Sequence, residues 1–591
     1  MCDRVQPKLI YSANLYTISR EDKRVDLTHA ATPERYRFVK CAPLAEDGTL
    51  HILEYVALPD EPYTAVSYVW RGVKPLDGDT SPTFKVQGSG RVAGEPISIE
   101  VIRDICRAAI KGNTKLLWLD RLSIMQSSKD DPAWQLTKMY GIYQSSTLCV
   151  VVPGGLARLT SLREDTPWIH RGWTLQEAVA PPKVEVMFLW DLGESKAKPT
   201  DDSAFPGRIT EIVKGRCAMA PLWLILDSCI SGTLYLVNNV IETIDTYGQI
   251  SVFGVGSQGY TGNDYKSAIP NVAMLAAVVS ESMHKDYDRR SHCLWKCTLM
   301  RSTRDPADMI FSIMGMFGVT LDPKKYDIKD RIRPAIDLAQ GIMKNGGRAS
   351  WLGISFYLPP CPQLSTFPTF PKPSGGGQRA LIRTPKGYVE VLQLIDNDYH
   401  NADALVPMPQ GEMDPDGYLS FSAKSLPVAP IPAGDSPGWD RKTSWHDKGH
   451  IMTTDGVIWQ TTTPTPGEQP TSAFAVLLGC FFSYHPTMTP ILDSDNVRGF
   501  IVKEHEPGKY HVAAYFKLTI DAMRWVKGWP EHMFRVGGPE KLQDVYADET
   551  LDGVDSKDIV VLPVPEKRSG LASIDTTHIA ELAKAANLNS S

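Results

Sequence analysis

Tyr63-Thr-Ala-Val-Ser-Tyr-Val-Trp70 carries no charge, mixes β-branched with aromatic residues, and stops at Gly72. Such a run reads as a strand buried on both faces. Helical spacing follows in Val101-Ile-Arg-Asp-Ile-Cys-Arg-Ala-Ala-Ile110, and Leu116-Leu-Trp-Leu119 returns as a compact apolar strand. The next helix starts at Asp131-Pro132, with an acidic cap and a proline that needs no N–H partner in the first turn. It places Leu136, Met139, Tyr140 and Tyr143 on one face. Leu148-Cys-Val-Val-Val152 is a further strand, ended by Pro153-Gly154-Gly155, and a second helix begins near Trp173 and carries Leu175 and Ala178. Strands alternating with helices in this way predict an α/β layer around a parallel sheet.

The 591 residues exceed what one hydrophobic core supports, so several folding units are expected. The pattern divides the chain into an N-terminal extension (1–50), the α/β domain (51–200), a helical region packed on it (201–357), a Pro/Gly-rich linker (358–378), a β-rich region (379–575) and a tail (576–591). Ala273 to Met283 and Ile332 to Met343 mark the helical region, and Pro359-Pro360, Pro368, Pro371, Pro373 and Gly375-Gly376-Gly377 the linker. Tyr388 to Leu392, Phe474 to Leu478, Gly499 to Val502 and His511 to Phe516 supply the β-like runs. Leu222 to Val237 reads as a buried helix, since Asp227, Ser228, Ser231 and Gly232 interrupt it short of the ~20 apolar residues that a membrane span requires.

A net charge of −6 gives no overall basic field for nucleic acid. Met1-Cys2-Asp3-Arg4 opens no apolar signal segment, so the expected address is cytoplasmic, and the ten scattered cysteines are expected as reduced thiols.

Four segments, in order, resemble the heterokaryon-incompatibility (HET) domain of filamentous fungi: Tyr63 to Trp70, Leu117-Trp-Leu-Asp-Arg-Leu-Ser-Ile-Met-Gln126, Met139-Tyr-Gly-Ile-Tyr143 and Arg171-Gly-Trp-Thr-Leu-Gln-Glu177. Arg301-Ser-Thr-Arg-Asp-Pro-Ala-Asp-Met-Ile-Phe-Ser-Ile-Met-Gly315 is similar to the segment that commonly follows the domain. The chain departs from the family at Ser123 and Met125, where cysteine and asparagine are usual, and at Arg71, where glycine is usual. The resemblance implies a TIR/flavodoxin-like parallel sheet, because HET domains are distant relatives of TIR domains, several of which cleave NAD at the nicotinamide–ribose bond. Trp173-Thr-Leu-Gln-Glu177 is similar to the Trp-x-Leu-x-Glu stretch of plant TIR domains and follows the Val150-Val-Val152 strand as that stretch follows its own. It therefore implies a catalytic role for Glu177.

Cleaving that bond needs a carboxylate that stabilises an oxocarbenium-like ribose, since nicotinamide departs as a neutral ring. Glu177 fits the role; alternatively it only pairs with Arg171 while Trp173 and Leu175 fill the core. Tyr68, Trp70 and Trp173 are candidate stacking surfaces, Arg71 and Arg171 candidate cations for the substrate, and Asp120 lies where open α/β sheets place ligands, past a strand's carboxyl end. Glu177 should then share a cleft with Tyr68, Trp70 or Asp120. No metal and no cofactor is expected, NAD being a substrate.

Three weaker motifs carry little. Gly254-Val-Gly-Ser-Gln-Gly259 lacks the helix its fingerprint needs, His446-Asp-Lys-Gly-His450 sits in turn-like surroundings, and His292-Cys293 with Cys297 has only His284 nearby as a further ligand. Three functions remain open: an allorecognition or stress-signalling protein that triggers regulated cell death, a self-associating interaction module with a signalling partner, and a biosynthetic enzyme on the same scaffold.

Overall fold

The computed structural model describes residues 6–88, 94–128, 130–200, 203, 205–237, 244–254, 270–280, 286–374, 378–384, 387–432, 449–462, 472–484, 496–542 and 559–560. The first part of the chain forms strands β1 (Lys8–Asn14), β2 (Arg24–Val25), β3 (Tyr36–Lys40), β4 (Thr49–Tyr55), β5 (Tyr63–Tyr68), β6 (Thr83–Val86), β7 (Ile97–Ser98), β8 (Leu116–Trp118), β9 (Leu148–Val152) and β10 (Val184–Leu189). Between them run helices α1 (Leu15–Arg20), α2 (Cys41–Asp47), α3 (Ile99–Lys111), α4 (Asp120–Ser123), α5 (Asp131–Gln144) and α6 (Thr174–Val179).

All six residues of β5 are buried. It pairs in parallel with β8 on one edge and β9 on the other, and β9 pairs in parallel with β10. The lateral order β8-β5-β9-β10 is the start of the flavodoxin-like order, with its switch point between β5 and β9. Alternation along β5 assigns its two faces. Tyr63 and Ala65 share a core with Met139, Ile142 and Tyr143 of α5, while Val66 and Tyr68 share another with Ile102 and Ile105 of α3. Ser98 caps α3 by accepting from the Val101 amide.

Antiparallel strands widen the sheet on both sides to twelve. β3 pairs with β8, then β4 and β1 follow, so residues expected as an extension are built into the same sheet. On the far side stand β11 (Ser195–Lys198), β12 (Gly207–Val213), β13 (Cys217–Pro221), β14 (Thr233–Val237) and β15 (Ile244–Gln249). Here the structure corrects the expectation of a helical region from 201. Leu222–Ser231 is helical as expected, but Gly232 at φ 81 ends that helix and Thr233–Val237 turns into an edge-side strand. Helices dominate only later, in Pro270–Val279, Tyr287–Leu299, Asp308–Met314 and Ile332–Lys344.

The Pro/Gly-rich stretch is a second correction. Leu358, Cys361, Leu364, Phe367 and Phe370 are all buried in one core with Trp295 and Val476, and Phe367 stacks on Trp351 at 5.3 Å. Proline prevents helix and ladder hydrogen bonding but does not keep side chains out of a core. Gly375-Gly376-Gly377 and residues 576–591 lie outside the described residues. Beyond this stretch a nine-stranded sheet runs from Asp398–Asn401 to Glu531–Val536, mostly antiparallel.

The nine cysteines among the described residues are all buried. Among those residues no helix is long and apolar enough to cross a membrane.

Asp131, expected as the acidic cap of α5, stands in its first turn and does more than cap it. It is fully buried, its carboxylate takes the Met125 amide at 2.8 Å and the Arg37 guanidinium at 2.9 Å, and Arg37 is itself fully buried with Glu54 at 3.4 Å. Removing one partner of such a pair leaves an uncompensated charge in the core. Asp131→Ala should therefore destabilise the fold by about 3 kcal/mol or more in urea denaturation, whereas an exposed cap would lose about 1 kcal/mol.

Candidate functional site

The carboxyl ends of β5, β8 and β9 gather most of the residues singled out in the sequence. Ser67 lies on the β5 face that carries Tyr63 and Ala65, and its hydroxyl donates to Glu177 Oε2 at 2.6 Å. The same hydroxyl accepts Trp168 Nε1 at 2.8 Å, so a chain of donors runs from indole to hydroxyl to carboxylate. Glu177 is 7% exposed. Burial pushes its carboxyl up to about 7; the Ser67 bond and the Arg171 charge pull it down and the Asp120 charge pushes it up. A carboxylic acid with that titration, at a strand's carboxyl end, is poised between its two forms at neutral pH.

Asp120 opens α4 directly after β8. Its Oδ1 accepts Tyr68 Oη and the Arg121 amide, the latter at 2.6 Å, and its Oδ2 accepts Trp70 Nε1 at 2.6 Å. Asp120 thereby fixes two aromatic rings contributed by β5 and the residues after it. Burial, with the Asp120 charge, holds the Tyr68 phenol well above its ordinary value, so it stays a donor. The guanidinium carbons of Arg121 and Arg171 lie 5.9 and 5.8 Å from the centre of the Trp70 ring. Trp70, Asp120 and Arg171 are half-buried, forming the accessible margin above the buried Glu177.

Two candidates depart from the cluster. Arg71 is exposed on the turn after β5. Gly72 beside it is where a side chain cannot be accommodated, since a Cβ would sit 1.9 Å from the Gly154 carbonyl oxygen. Trp173 turns to another partner, donating its indole N–H to Asp308 Oδ2 at 3.2 Å. Asp308 is likewise pushed up to about 7, by burial and the neighbouring Asp305.

Sequence reading missed the residues that lock this arrangement: Ser67, Tyr143, Trp168, Arg301 and Asp308. Tyr143 donates to the Val66 carbonyl at 2.9 Å. Arg301, 2% exposed, donates through Nη1 to the Arg171 carbonyl at 3.0 Å and to Thr174 Oγ1 at 2.8 Å, and its guanidinium lies 5.8 Å from the Trp168 ring. Backbone joins the same two segments: Gly172 N–H donates to the Ser302 carbonyl at 2.9 Å, and Ser302 N–H to the His170 carbonyl at 2.8 Å. At Gly172 a Cβ would lie 2.5 Å from Thr303 Cγ2, so the close approach needs glycine. The resemblance around Arg301 was a signal that could have found this residue.

The concavity beside α6 has a volume of about 530 Å³ and is lined by Tyr140, Phe311, Met314, Met316, Val319 and Gln176, among others. Gln176 reaches it; Glu177, Tyr68, Trp70 and Asp120 are not in its lining. This concavity is therefore not the cleft expected for Glu177 with Tyr68, Trp70 or Asp120; Glu177 is buried, and Trp70 and Asp120 are half-buried. Among the weak motifs, His292 is fully buried with Nδ1 3.1 Å from the Ser350 carbonyl, whereas 255–259, His284 and His446 lie outside the described residues. No cluster of three or more metal-ligating His, Cys, Asp or Glu side chains occurs among the described residues.

A doubly wound α/β layer with ionisable residues at its switch point is a ligand-site architecture. Residues 63–163 match the family model for Heterokaryon incompatibility protein (HET), so the chain carries a HET domain. The segments 171–177 and 301–315 lie beyond the matched residues, Glu177 bonded to Ser67 and Gly315 set against Tyr140. Neither a search of curated proteins nor one of solved structures returns a match.

Burial raises the Glu177 carboxyl from 4.5 to about 7, so the folded chain keeps a proton that the unfolded chain releases. The stability this neutral acid contributes is fully present below pH 4.5 and is lost as pH rises through about 7. At 1.36 kcal/mol per pKa unit the loss is about 3 kcal/mol. Glu177→Gln stays neutral throughout, so its stability relative to the native chain should rise by about that amount between pH 5 and pH 8 in paired urea titrations. An equal difference at both pH values would refute the assignment.

Proposed function

We propose that the chain is an allorecognition or stress-signalling protein of the cytoplasm whose HET domain, as a distant TIR relative, triggers regulated cell death by cleaving NAD at the nicotinamide–ribose bond. The observation that carries this reading is the Glu177 carboxyl, held at the carboxyl end of β5 at a cost to stability. A group that destabilises the fold at neutral pH and sits at a switch point calls for a functional reason.

Nicotinamide leaves as a neutral ring, so no acid need protonate it. The requirement is negative charge beside the ribose as it gains oxocarbenium character. Ionised Glu177 supplies that charge, and the Trp168–Ser67 donor chain orients it. Trp70 is fixed by Asp120, and Arg171, with its guanidinium 5.8 Å from the centre of that ring, offers a cation to the phosphates. Turnover on this account rises with pH through about 7, as Glu177 loses its proton.

A second reading, a non-enzymatic module that self-associates and recruits a signalling partner, is favoured by one specific feature. Both Asp120 oxygens and Glu177 Oε2 are already occupied by donors of the chain itself.

Release of nicotinamide from NAD by purified protein, followed up to concentrations that allow self-association, separates the two readings. Glu177→Gln should lower the rate roughly 10²-fold or more, the scale of losing one preorganised transition-state interaction. Ser67→Ala removes a bond that lowers the Glu177 pKa, so the rising limb of the pH–rate profile should move to higher pH. No release at any concentration leaves the interaction module, whereas release untouched by Glu177→Gln removes Glu177 from the chemistry.

A further inference from the structure

Far from the HET domain, strand Val497–Glu506 turns back through Gly508 into strand Lys509–Leu518. The register shifts between Glu504 and Glu506, where Glu504 faces Tyr510 and Glu506 faces Lys509, so His505 is the extra residue of a bulge. A bulge re-aims the side chain it carries. Here it brings His505 against His511, which lies opposite Lys503 on the partner strand. The two Nδ1 atoms are 3.3 Å apart and the rings meet at 62° with centroids 5.2 Å apart.

The outer nitrogen of His505 is fixed by its neighbours. Tyr418 Oη donates to the Gly538 carbonyl at 3.2 Å, and His505 Nε2 lies 3.0 Å from Tyr418 Oη. In the tautomer with the proton on Nε2, Tyr418 accepts from His505 Nε2–H and the lone pair of His505 lies on Nδ1, facing His511. A histidine whose far N–H is held by an oxygen while its near nitrogen is bare is oriented as a metal ligand is. An ion bound at about 2.05 Å from each of two imidazole nitrogens with a tetrahedral angle between them sets those nitrogens about 3.3 Å apart. Both rings are half-buried, which leaves room for water in the remaining positions.

We propose that His505 and His511 form a two-histidine site for an imidazole-preferring divalent transition-metal ion of the Zn²⁺, Ni²⁺ or Cu²⁺ class, with both Nδ1 atoms as ligands and water completing the shell. On binding, His511 carries its proton on Nε2 instead of on Nδ1, where in the free pair it bridges to His505; no net proton is released. The nearby charges are largely matched: Glu506 pairs with Lys509 at 2.6 Å and Arg535 with Asp414 at 2.6 Å. With two protein ligands the ion is exchangeable, and it clasps the hairpin end to Tyr418 and Gly538.

Zn²⁺ titrated into the full chain in metal-free buffer, by calorimetry and in parallel thermal melts, tests the site without any assay of activity. The expected result is saturable uptake and a raised Tm for the native chain. His505→Asn and His511→Asn should each lower the stoichiometry by one ion, and Tyr418→Phe should weaken that ion's affinity about 10-fold or more, the scale of losing an outer-shell partner. Should His511→Asn fail to fold, His505→Asn at the hairpin's bulge and Tyr418→Phe still decide the matter. Absence of saturable uptake by the native chain, or unchanged stoichiometry in His505→Asn, overturns the proposal.

Discussion

A strand buried at all six positions, as β5 is, has no water to satisfy its backbone or its side chains. Both edges must therefore be paired and both faces covered, and each polar side chain on it must find a partner inside the protein. β8 and β9 take the edges, and α3 and α5 take the faces. Thr64 meets Thr114 at 2.6 Å, and Ser67 meets Trp168 and Glu177. The candidate site is thus a consequence of how β5 is buried: the hydroxyl that completes the strand's polar accounting is the one that orients the carboxyl.

The loop before α6 is held from a distance. Arg301 and Ser302 clamp residues 170–174, and they follow directly on helix Tyr287–Leu299. That helix is tied to the C-terminal sheet by Lys296, whose side chain is fully buried and pairs with Asp396; Asp396 also meets Arg498 at 2.9 Å, and Arg498 pairs with Asp398. These contacts hold Asp396 well below the usual carboxylate range despite its burial. Charges taken out of water in this way tolerate little displacement, because losing one partner strands another. The geometry around Glu177 therefore rests on residues more than a hundred positions away.

Much of the α/β layer was legible because its strands are fully buried and apolar and its helices show clean periodicity, as at Val101 to Ile110. Legibility failed where local pattern and tertiary placement diverge. β12 and β13, and β14 and β15, pair as hairpins that join the sheet through β10 and β11, and Leu358 to Phe370 is buried although its composition reads as a connection. At the site, Tyr68, Trp70, Asp120, Arg171 and Glu177 do converge, because order along an α/β chain puts strand ends together. Arg71 and Trp173 do not, because a rim position or a neighbouring acid decides where a long side chain goes.

The sequence by itself determined the α/β class, strands β5, β8 and β9, helices α3 and α5 and the HET character of residues 63–163, all of which depend on residue type and short-range spacing. Only the tertiary structure decided that Glu177 is buried against Ser67, that Asp120 is taken up by Tyr68 and Trp70, and that Arg301 holds the loop before α6. Those outcomes turn on which groups lose their water and which partner lies within about 3 Å when they do, and neither quantity is local in sequence.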